Sequence, residues 1–404
     1  MAVESSKRKV LVAMSGGVDS SVAALLLRDA GYDAAGVTMK LFDNKVAGAG
    51  GSCVVGESTC CSQSDVEDAR QVAFGLGLEH FTFNYTTTFG RDVIDRFCDS
   101  YLRGRTPNPC IDCNRYLKFA ALQKRRAQLG YDYVATGHYA RRAYNERTGR
   151  FELLRGKDAS KDQSYVLYHL TQDDLAHMLF PLGELTKPEV RRLAQEHSFG
   201  NADKAESQDI CFVPDGDYVS FIARYLGIED ACGAAPAGAA ALGSGSGERG
   251  CAPGGAAGSC GGIPAAFSAG DIVDVDGKVV GRHRGLVHYT IGQRKGIGVA
   301  ASEPLYVVAK DCVANELVVG PRSELGVREV RAGDVNLISV ESLDEPVRVS
   351  AKTHYRQRAQ AGEAVVEDGQ LVVRFDEPVT RPAAGQSLVL YDGDVVVGGG
   401  TIEE

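Results

Sequence analysis

The stretch Lys9-Val-Leu-Val-Ala-Met-Ser-Gly-Gly-Val-Asp-Ser-Ser21 decides the fold of this chain. Val10 to Met14 is a short apolar run with β-branched residues and no polar break, the pattern of a strand buried on both faces. Ser15-Gly16-Gly17 then makes a tight turn, because adjacent glycines accept positive φ and let backbone N–H groups approach a ligand. From Ser20 the chain reads as an amphipathic helix, with serine near its start and Gly31 just past its end. Unpaired N–H groups and the helix dipole converge where strand, turn and helix meet, which predicts an anion site. Phosphate is its natural occupant.

The turn is not the common ATPase phosphate loop, since no lysine follows the glycines at the required spacing. Gly-x-Gly-x-x-Gly is absent as well, so a dinucleotide fold matches poorly. The order Ser15-Gly-Gly-Val-Asp-Ser20 resembles the PP-loop of the ATP pyrophosphatases. That resemblance implies an adenine nucleotide alpha hydrolase-like parallel-sheet domain that splits ATP to AMP and pyrophosphate.

With 404 residues the chain has room for two or three domains. No run of 18 apolar residues exists, and the basic N-terminus leads straight into a strand, which predicts no membrane span and a cytoplasmic protein. Eleven cysteines in such a chain suggest thiol or metal chemistry and not a disulfide scaffold. The net charge of −9 argues against non-specific nucleic-acid binding, though local basic clusters can still hold a phosphate backbone.

Strands are predicted at 34–42, 80–85 and 133–139, with helices at 64–75 (a capping box of Ser64 with Glu67), 90–105 and 117–130. Their alternation predicts a parallel sheet covered on both faces, in a domain running over 1–215. The glycine-rich stretch 43–59 reads as a mobile loop. A helix at 216–230 opens a small central domain, 216–299, with an Asp-Gly hairpin at 270–281. Between them, 231–269 is mostly Ala, Gly, Ser and Pro without hydrophobic periodicity, and reads as a disordered insertion. Short alternating strands at 305–308, 317–319, 347–352, 364–367, 371–375 and 387–391 predict a C-terminal β-barrel over 300–404.

The loop Arg105-Thr-Pro-Asn-Pro-Cys-Ile-Asp-Cys-Asn114 places Cys110 and Cys113 before a helix, near Arg115 and Lys118, where a thiol should ionise readily. Glu206-Ser-Gln-Asp-Ile-Cys-Phe-Val213 adds Cys211 at the end of the same domain. A zinc site would want a fourth ligand, and none is evident. Buried cysteines acting as small hydrophobes are the plainer alternative. Basic residues gather at Arg103, Arg105, Arg115, Lys118, Lys124, Arg125 and Arg126, and again at Arg282, His283, Arg284, Arg294 and Lys295. By themselves such runs are solvated faces.

With Ala135-Thr-Gly-His-Tyr-Ala-Arg141, Lys161-Asp-Gln-Ser-Tyr165 and Gly292-Gln-Arg-Lys-Gly296 added, the chain resembles the bacterial tRNA-specific 2-thiouridylase family over nearly everything except 231–269. The resemblance implies the three-part fold and a reaction: 2-thiolation of the wobble uridine of tRNAs for Lys, Glu and Gln. ATP would lie over Ala13, Met14, Ser15, Gly16, Gly17, Val18, Asp19 and Ser20, with Met39 and Gly137 holding the adenosine. Magnesium would bridge the phosphates, Asp19 being the candidate ligand. Cys211 matches the persulfide carrier and Cys113 the cooperating nucleophile, a pair able to form a disulfide. Asn108, Pro109 and Cys110 match positions beside the target base, and His138, Lys161, Asp162, Gln163, His354, Tyr355 and Gln386 match positions that touch tRNA. A cysteine desulfurase or a sulfur-relay protein would load Cys211. Read alone, His138 is a core histidine and Tyr355 a barrel surface residue.

Cys110 departs from the family's best-described form, which has an aspartate there, proposed as a general acid/base. A thiol of pKa about 8.5 cannot copy a carboxylate of pKa about 4. Either Cys110 is a near-neutral substitute, or Cys110, Cys113 and Cys211 are three ligands of a [4Fe-4S] cluster. The persulfide reading is preferred, because three cysteines alone are a weak pattern. Two other readings are weaker: a PP-loop ligase acting on a small acid needs no paired cysteines, and a non-catalytic RNA-binding protein needs no intact PP-loop.

Overall fold

β1 (Lys9–Ala13) is the central strand of a five-stranded parallel sheet. The computed structural model describes residues 7–41, 63–204, 210–228 and 264–403. Beside β1 lie β2 (Asp33–Lys40) and then β3 (Glu79–Asn84) on one side, β4 (Tyr133–Ala135) and β7 (Met178–Leu179) on the other. The order 3-2-1-4-7 reverses direction at β1, so the loops leaving β1 and β4 part from each other there. A crevice at the carboxyl ends of the strands is the expected result of that reversal. α1 (Val18–Asp29) and α2 (Gln63–Gly75) cover the sheet; Val22, Ala23 and Leu25 of α1 and Val72 and Ala73 of α2 are buried against Val10 and Val12.

Several expectations are met with shifted boundaries. Ser64 lies inside the first turn of α2 and not at its cap. The predicted strand 133–139 stops at Ala135, and Thr136-Gly137-His138 becomes the loop that faces α1. The helix expected at 117–130 begins at Pro109 and runs unbroken through Pro109–Asp112, Cys113–Ala121 and Leu122–Leu129. Asn108 caps it, its Oδ1 accepting from Cys110 N at 3.2 Å, and Pro109 sits at the first helical position, where a missing N–H costs nothing. Asn-Pro, which looks like loop composition, is here a helix start. Cys110 and Cys113 therefore lie in helical turns.

The glycine-rich stretch 43–59, residues 231–263 of the expected insertion and Glu206 to Asp209 lie outside the described residues. The end of the insertion does not: Ala265–Phe267 forms a short 3-10 turn with Ala266 and Phe267 buried in the main core, so the expectation of disorder fails over 264–269. Apolar side chains with a surface to bury order that end.

The central sheet holds β8 (Gly270–Val273), β9 (Val279–His283), β10 (Tyr306–Asp311) and β11 (Glu316–Gly320) in the order β10-β11-β8-β9. The strand near 317 thus pairs with β8 and the strand near 305 with β11, completing the central sheet where the sequence suggested the barrel. The barrel itself is six antiparallel strands, β12 (Gly326–Leu337), β15 (Gln370–Thr380), β14 (Gln360–Glu367), β13 (Val347–Lys352), β16 (Ser387–Asp392) and β17 (Val395–Ile402), closed by β12 pairing with β17. One hairpin of the first unit, β5 (Ala140–Asn145) and β6 (Arg150–Arg155), extends this sheet through Leu154 opposite Val395. Tyr165 and Tyr168 are buried against the barrel; Tyr165 Oη donates to the Ser387 carbonyl at 2.7 Å. The N-terminal unit and the barrel share one apolar core containing Leu153, Tyr165, Tyr168, Val389 and Tyr391.

Candidate functional site

A cavity of about 230 Å³ opens where β1 and β4 diverge. Ala13, Met14, Ser15, Asp19, Ser20, Met39 and Gly137 line it, together with His138 and Gln163. Gly16, Gly17 and Val18 form the turn behind it. Gly16 has φ of +75°, and an added Cβ would come within 2.7 Å of Asp65 Cα, so α2 packs directly on the loop. Gly137 is as constrained: a Cβ there would lie 2.9 Å from Ser20 N, in the first turn of α1. Ser20 fastens the loop, its Oγ accepting from Ser15 N at 3.2 Å and donating to the Gly17 carbonyl at 3.0 Å. The turn is preorganised, with the N-terminus of α1 at the cavity wall.

Three residues that sequence reasoning passed over complete the loop's surroundings. Lys187 Nζ donates to both oxygens of Asp19, at 2.7 and 2.9 Å, and Tyr139 Oη donates to Asp19 Oδ1 at 2.8 Å. Asn201 Nδ2 donates to the Gly16 carbonyl at 2.9 Å and to Ser21 Oγ at 3.0 Å. The Thr186–Glu189 capping contact and Pro188 marked the helix start at Lys187. Nothing local showed that this lysine lies under α1. Asp19, the candidate magnesium ligand, thus has both oxygens on the Lys187 ammonium, while its side chain stays about a third exposed at the cavity.

His138 Nδ1 lies 2.8 Å from Thr136 Oγ1, and burial, helped by Lys118, pushes its pKa down to about 3, so the imidazole is neutral at ordinary pH. Lys118 lines the cavity itself. Gln163 is locked to the same loop, Oε1 accepting from Tyr139 N at 2.9 Å. Asp162 directs its carboxylate to Gly156 N, Ser164 N and Ser164 Oγ, and its carbonyl accepts from Tyr355 Oη at 3.2 Å. Lys161 is partly buried beside it. His354 is exposed at the barrel surface, its pKa lowered by partial desolvation and by Arg356. Gln386 reaches from the barrel to the cysteine loop, Nε2 donating to the Thr106 carbonyl at 2.7 Å.

Of the cysteines, Cys110 is exposed, Cys113 buried and Cys211 half-buried. Cys113 and Cys211 pack on the same core. Among the described residues no group of three or more His, Cys, Asp or Glu side chains is placed to hold a metal ion. Next to Cys113, burial pushes the Asp112 carboxyl up to about 6 against the pull of Arg96 and Arg115. Arg115 is bound to Asp334 of β12 through both terminal nitrogens, Nη2 at 3.1 Å from Oδ1. Its charge therefore ties helix to barrel instead of facing phosphate. Arg126 likewise caps its own helix end on the Tyr131 carbonyl at 2.9 Å, and His283 is buried on the Asn315 carbonyl. The two basic groups expected from the sequence are therefore partly structural.

Three family profiles match the chain: the tRNA methyl transferase HUP domain over residues 8–215, the tRNA methyl transferase PRC-barrel domain over 264–321 and the aminomethyltransferase beta-barrel domain over 327–402. A tRNA-specific 2-thiouridylase MnmA of Carboxydothermus hydrogenoformans is 45% identical over 403 residues, covering 98% of each chain. The chain belongs to the tRNA-specific 2-thiouridylase family. Family members named MnmA 1 in Thermoanaerobacter sp. and MnmA in Acetivibrio thermocellus are 44% and 41% identical, each over 98% of this chain and 98% and 100% of their own. Within the family's three-part architecture, the crevice at β1 and β4 and the cysteine helix both belong to the HUP unit. Among the described residues no helix is long and apolar enough to cross a membrane.

Proposed function

We propose that the chain catalyses ATP-dependent 2-thiolation of the wobble uridine of tRNA. One observation carries the reading: the preorganised phosphate turn and its cavity sit in the same unit as two cysteines packed on one core, in a chain collinear with 2-thiouridylases. ATP enters the cavity with adenosine toward Met39 and Gly137 and its phosphates on the N–H groups at 15–20. The uridine C2 oxygen attacks the α-phosphorus, pyrophosphate leaves, and the C2 oxygen becomes a good leaving group. Magnesium carried by the triphosphate would offset its charge, while Lys187 holds Asp19 in place at the loop.

The terminal sulfur of a persulfide on Cys211 then attacks C2, and AMP departs with the oxygen. Cys113 attacks the Cys211 sulfur, breaking the S–S bond, which leaves 2-thiouridine and a Cys113–Cys211 disulfide. A thiol reductant resets the pair, and a desulfurase or relay protein supplies the next sulfur. Dividing the substitution in this way replaces one difficult step with easier ones. Cys110, exposed at the helix start beside Asn108 and Pro109, faces the target base; it is a near-neutral substitute for a carboxylate, with water carrying the proton. His138, neutral and buried, orients rather than titrates.

The deciding assay is tRNA-dependent pyrophosphate release from ATP, combined with mass analysis of the tRNA for an oxygen-to-sulfur exchange. Release without sulfur gain in the presence of a loaded donor would refute the transfer step. No release with wobble-uridine tRNA would refute the whole reading.

A further inference from the structure

A second cavity, of about 350 Å³, lies where the β5–β6 hairpin meets the barrel. Arg141, Arg155, Lys157 and Lys352 line it against Asp162 and Asp394, four cations to two carboxylates. Both carboxylates are already engaged. Arg141 Nη2 donates to Asp394 at 2.7 Å, while Asp162 accepts from Gly156 N and Ser164. Arg155 and Lys352 are held by the ring of Tyr391: the guanidinium carbon is 4.0 Å and the ammonium 5.8 Å from its centroid. Arg155 Nε is buried and has no hydrogen-bond partner, a donor left without an acceptor at the wall of a positively charged cavity. Burial and the neighbouring Arg155 lower the Lys352 ammonium, against the opposing pull of Asp162. An arriving anion relieves both costs.

The cavity adjoins the cysteine helix through one residue. Tyr355 donates from Oη to the Asp162 carbonyl at 3.2 Å, and its phenol is raised by burial and then by Asp162 and Cys110 together. Asp162 is shared by the cavity and by this contact. We infer that this cavity holds a backbone phosphate of the substrate RNA, next to the nucleotide presented to Cys110, with Arg155 and Lys352 as the donors. The inference rests on the tRNA reading above. Arginine suits the place because its planar fork can give two parallel hydrogen bonds to a phosphate, and the aromatic ring fixes the fork before the RNA arrives. The hairpin's extension of the barrel sheet then has a chemical use, since only that junction brings Arg155 and Lys352 onto one tyrosine.

The test measures binding of wobble-uridine tRNA to the full chain across a salt series, for wild type, Arg155→Met, Lys352→Met and the double variant. Melting and ATP affinity are measured in parallel to report folding. Each single variant should weaken binding several-fold at low salt. The double variant should lose roughly tenfold or more, with a salt slope shallower by about 0.7, the value for one phosphate of a single strand. Lys157→Glu, exposed at the rim, gives a second reading away from the buried Tyr391 and should also weaken binding. Unchanged affinity and slope in a folded double variant, or in Lys157→Glu if the double variant does not fold, would overturn the inference. A wild-type chain that fails to bind this tRNA would instead overturn the function on which it rests.

Discussion

The ammonium of Lys187 sits 2.7 and 2.9 Å from the two carboxylate oxygens of Asp19, a residue 168 positions earlier in the chain. Lys187 is buried while the Asp19 side chain is about a third exposed, at 32%. The phosphate turn has no lysine of its own, and the fold brings one to its first helical turn. Lys187→Met strands a half-buried carboxylate, and breaking such pairs costs about 3 kcal/mol at the lower end. The expected outcome is a lower melting temperature and loss of tRNA-dependent pyrophosphate release, with Lys187→Arg retaining part of both. A Lys187→Met enzyme releasing pyrophosphate at the wild-type rate would separate this pair from the chemistry.

Gly16 offers a steric test. Its φ of +75° and the backbone of Asp65 behind it leave no place for a methyl group. Gly16→Ala should displace the start of α2 and reduce ATP affinity at least tenfold, whereas Gly17→Ala, where a Cβ would meet only Ser15 Oγ at 3.6 Å, should be far milder. Equilibrium ATP binding by both variants checks this. Equal effects would mean that the packing of α2 on the turn is unimportant.

The three thiols make separable predictions. Cys113→Ser and Cys211→Ser should keep tRNA-dependent pyrophosphate release and lose sulfur transfer by more than a hundredfold, since each removes a sulfur nucleophile and not the adenylation site. Cys110→Asp should keep both activities. Loss of transfer in Cys110→Asp, accompanied by loss of stoichiometric iron and sulfide from anaerobic protein, would restore the cluster reading.

Acid stability follows from two imidazoles, His138 buried and His169 partly buried. Burial, with Lys118 and Arg115 respectively, pushes His138 and His169 down to about 3, while both take up protons near 6.5 once unfolded. Their folded pKa values are depressed, so the unfolded chain binds more protons between about pH 3 and 6.5, and stability falls as pH falls through that window. Two protons correspond to a slope of up to about 2.7 kcal/mol per pH unit. Denaturant titrations between pH 5 and 6.5 should show this slope opposed by Asp112, whose carboxyl is raised to about 6 and so takes up its proton in the folded chain, and lowered in His169→Gln by up to about 1.4 kcal/mol per pH unit. An unaltered slope in that variant would exclude His169 as a source.

The sequence by itself determined what depends on neighbours along the chain. Val10 to Met14, the two glycines and the following helix gave the phosphate turn, because a strand, a positive φ and a helix N-terminus are local matters. The motif cysteines and the alternation of strands and helices were legible for the same reason. Even the Pro109 helix was written locally as Asn-Pro, although its composition read as loop. Only the tertiary structure decided which groups meet across long separations. It set Lys187 under Asp19, Gln386 on Thr106, Arg115 on Asp334, and Arg155 and Lys352 on Tyr391. It also moved the strands near 305 and 317 from the barrel to the central sheet, since an alternating strand shows which face is apolar but not which edge it will pair with. Charge partners have no periodicity. A lysine reads as a solvated residue until the packing of two elements removes water from around it.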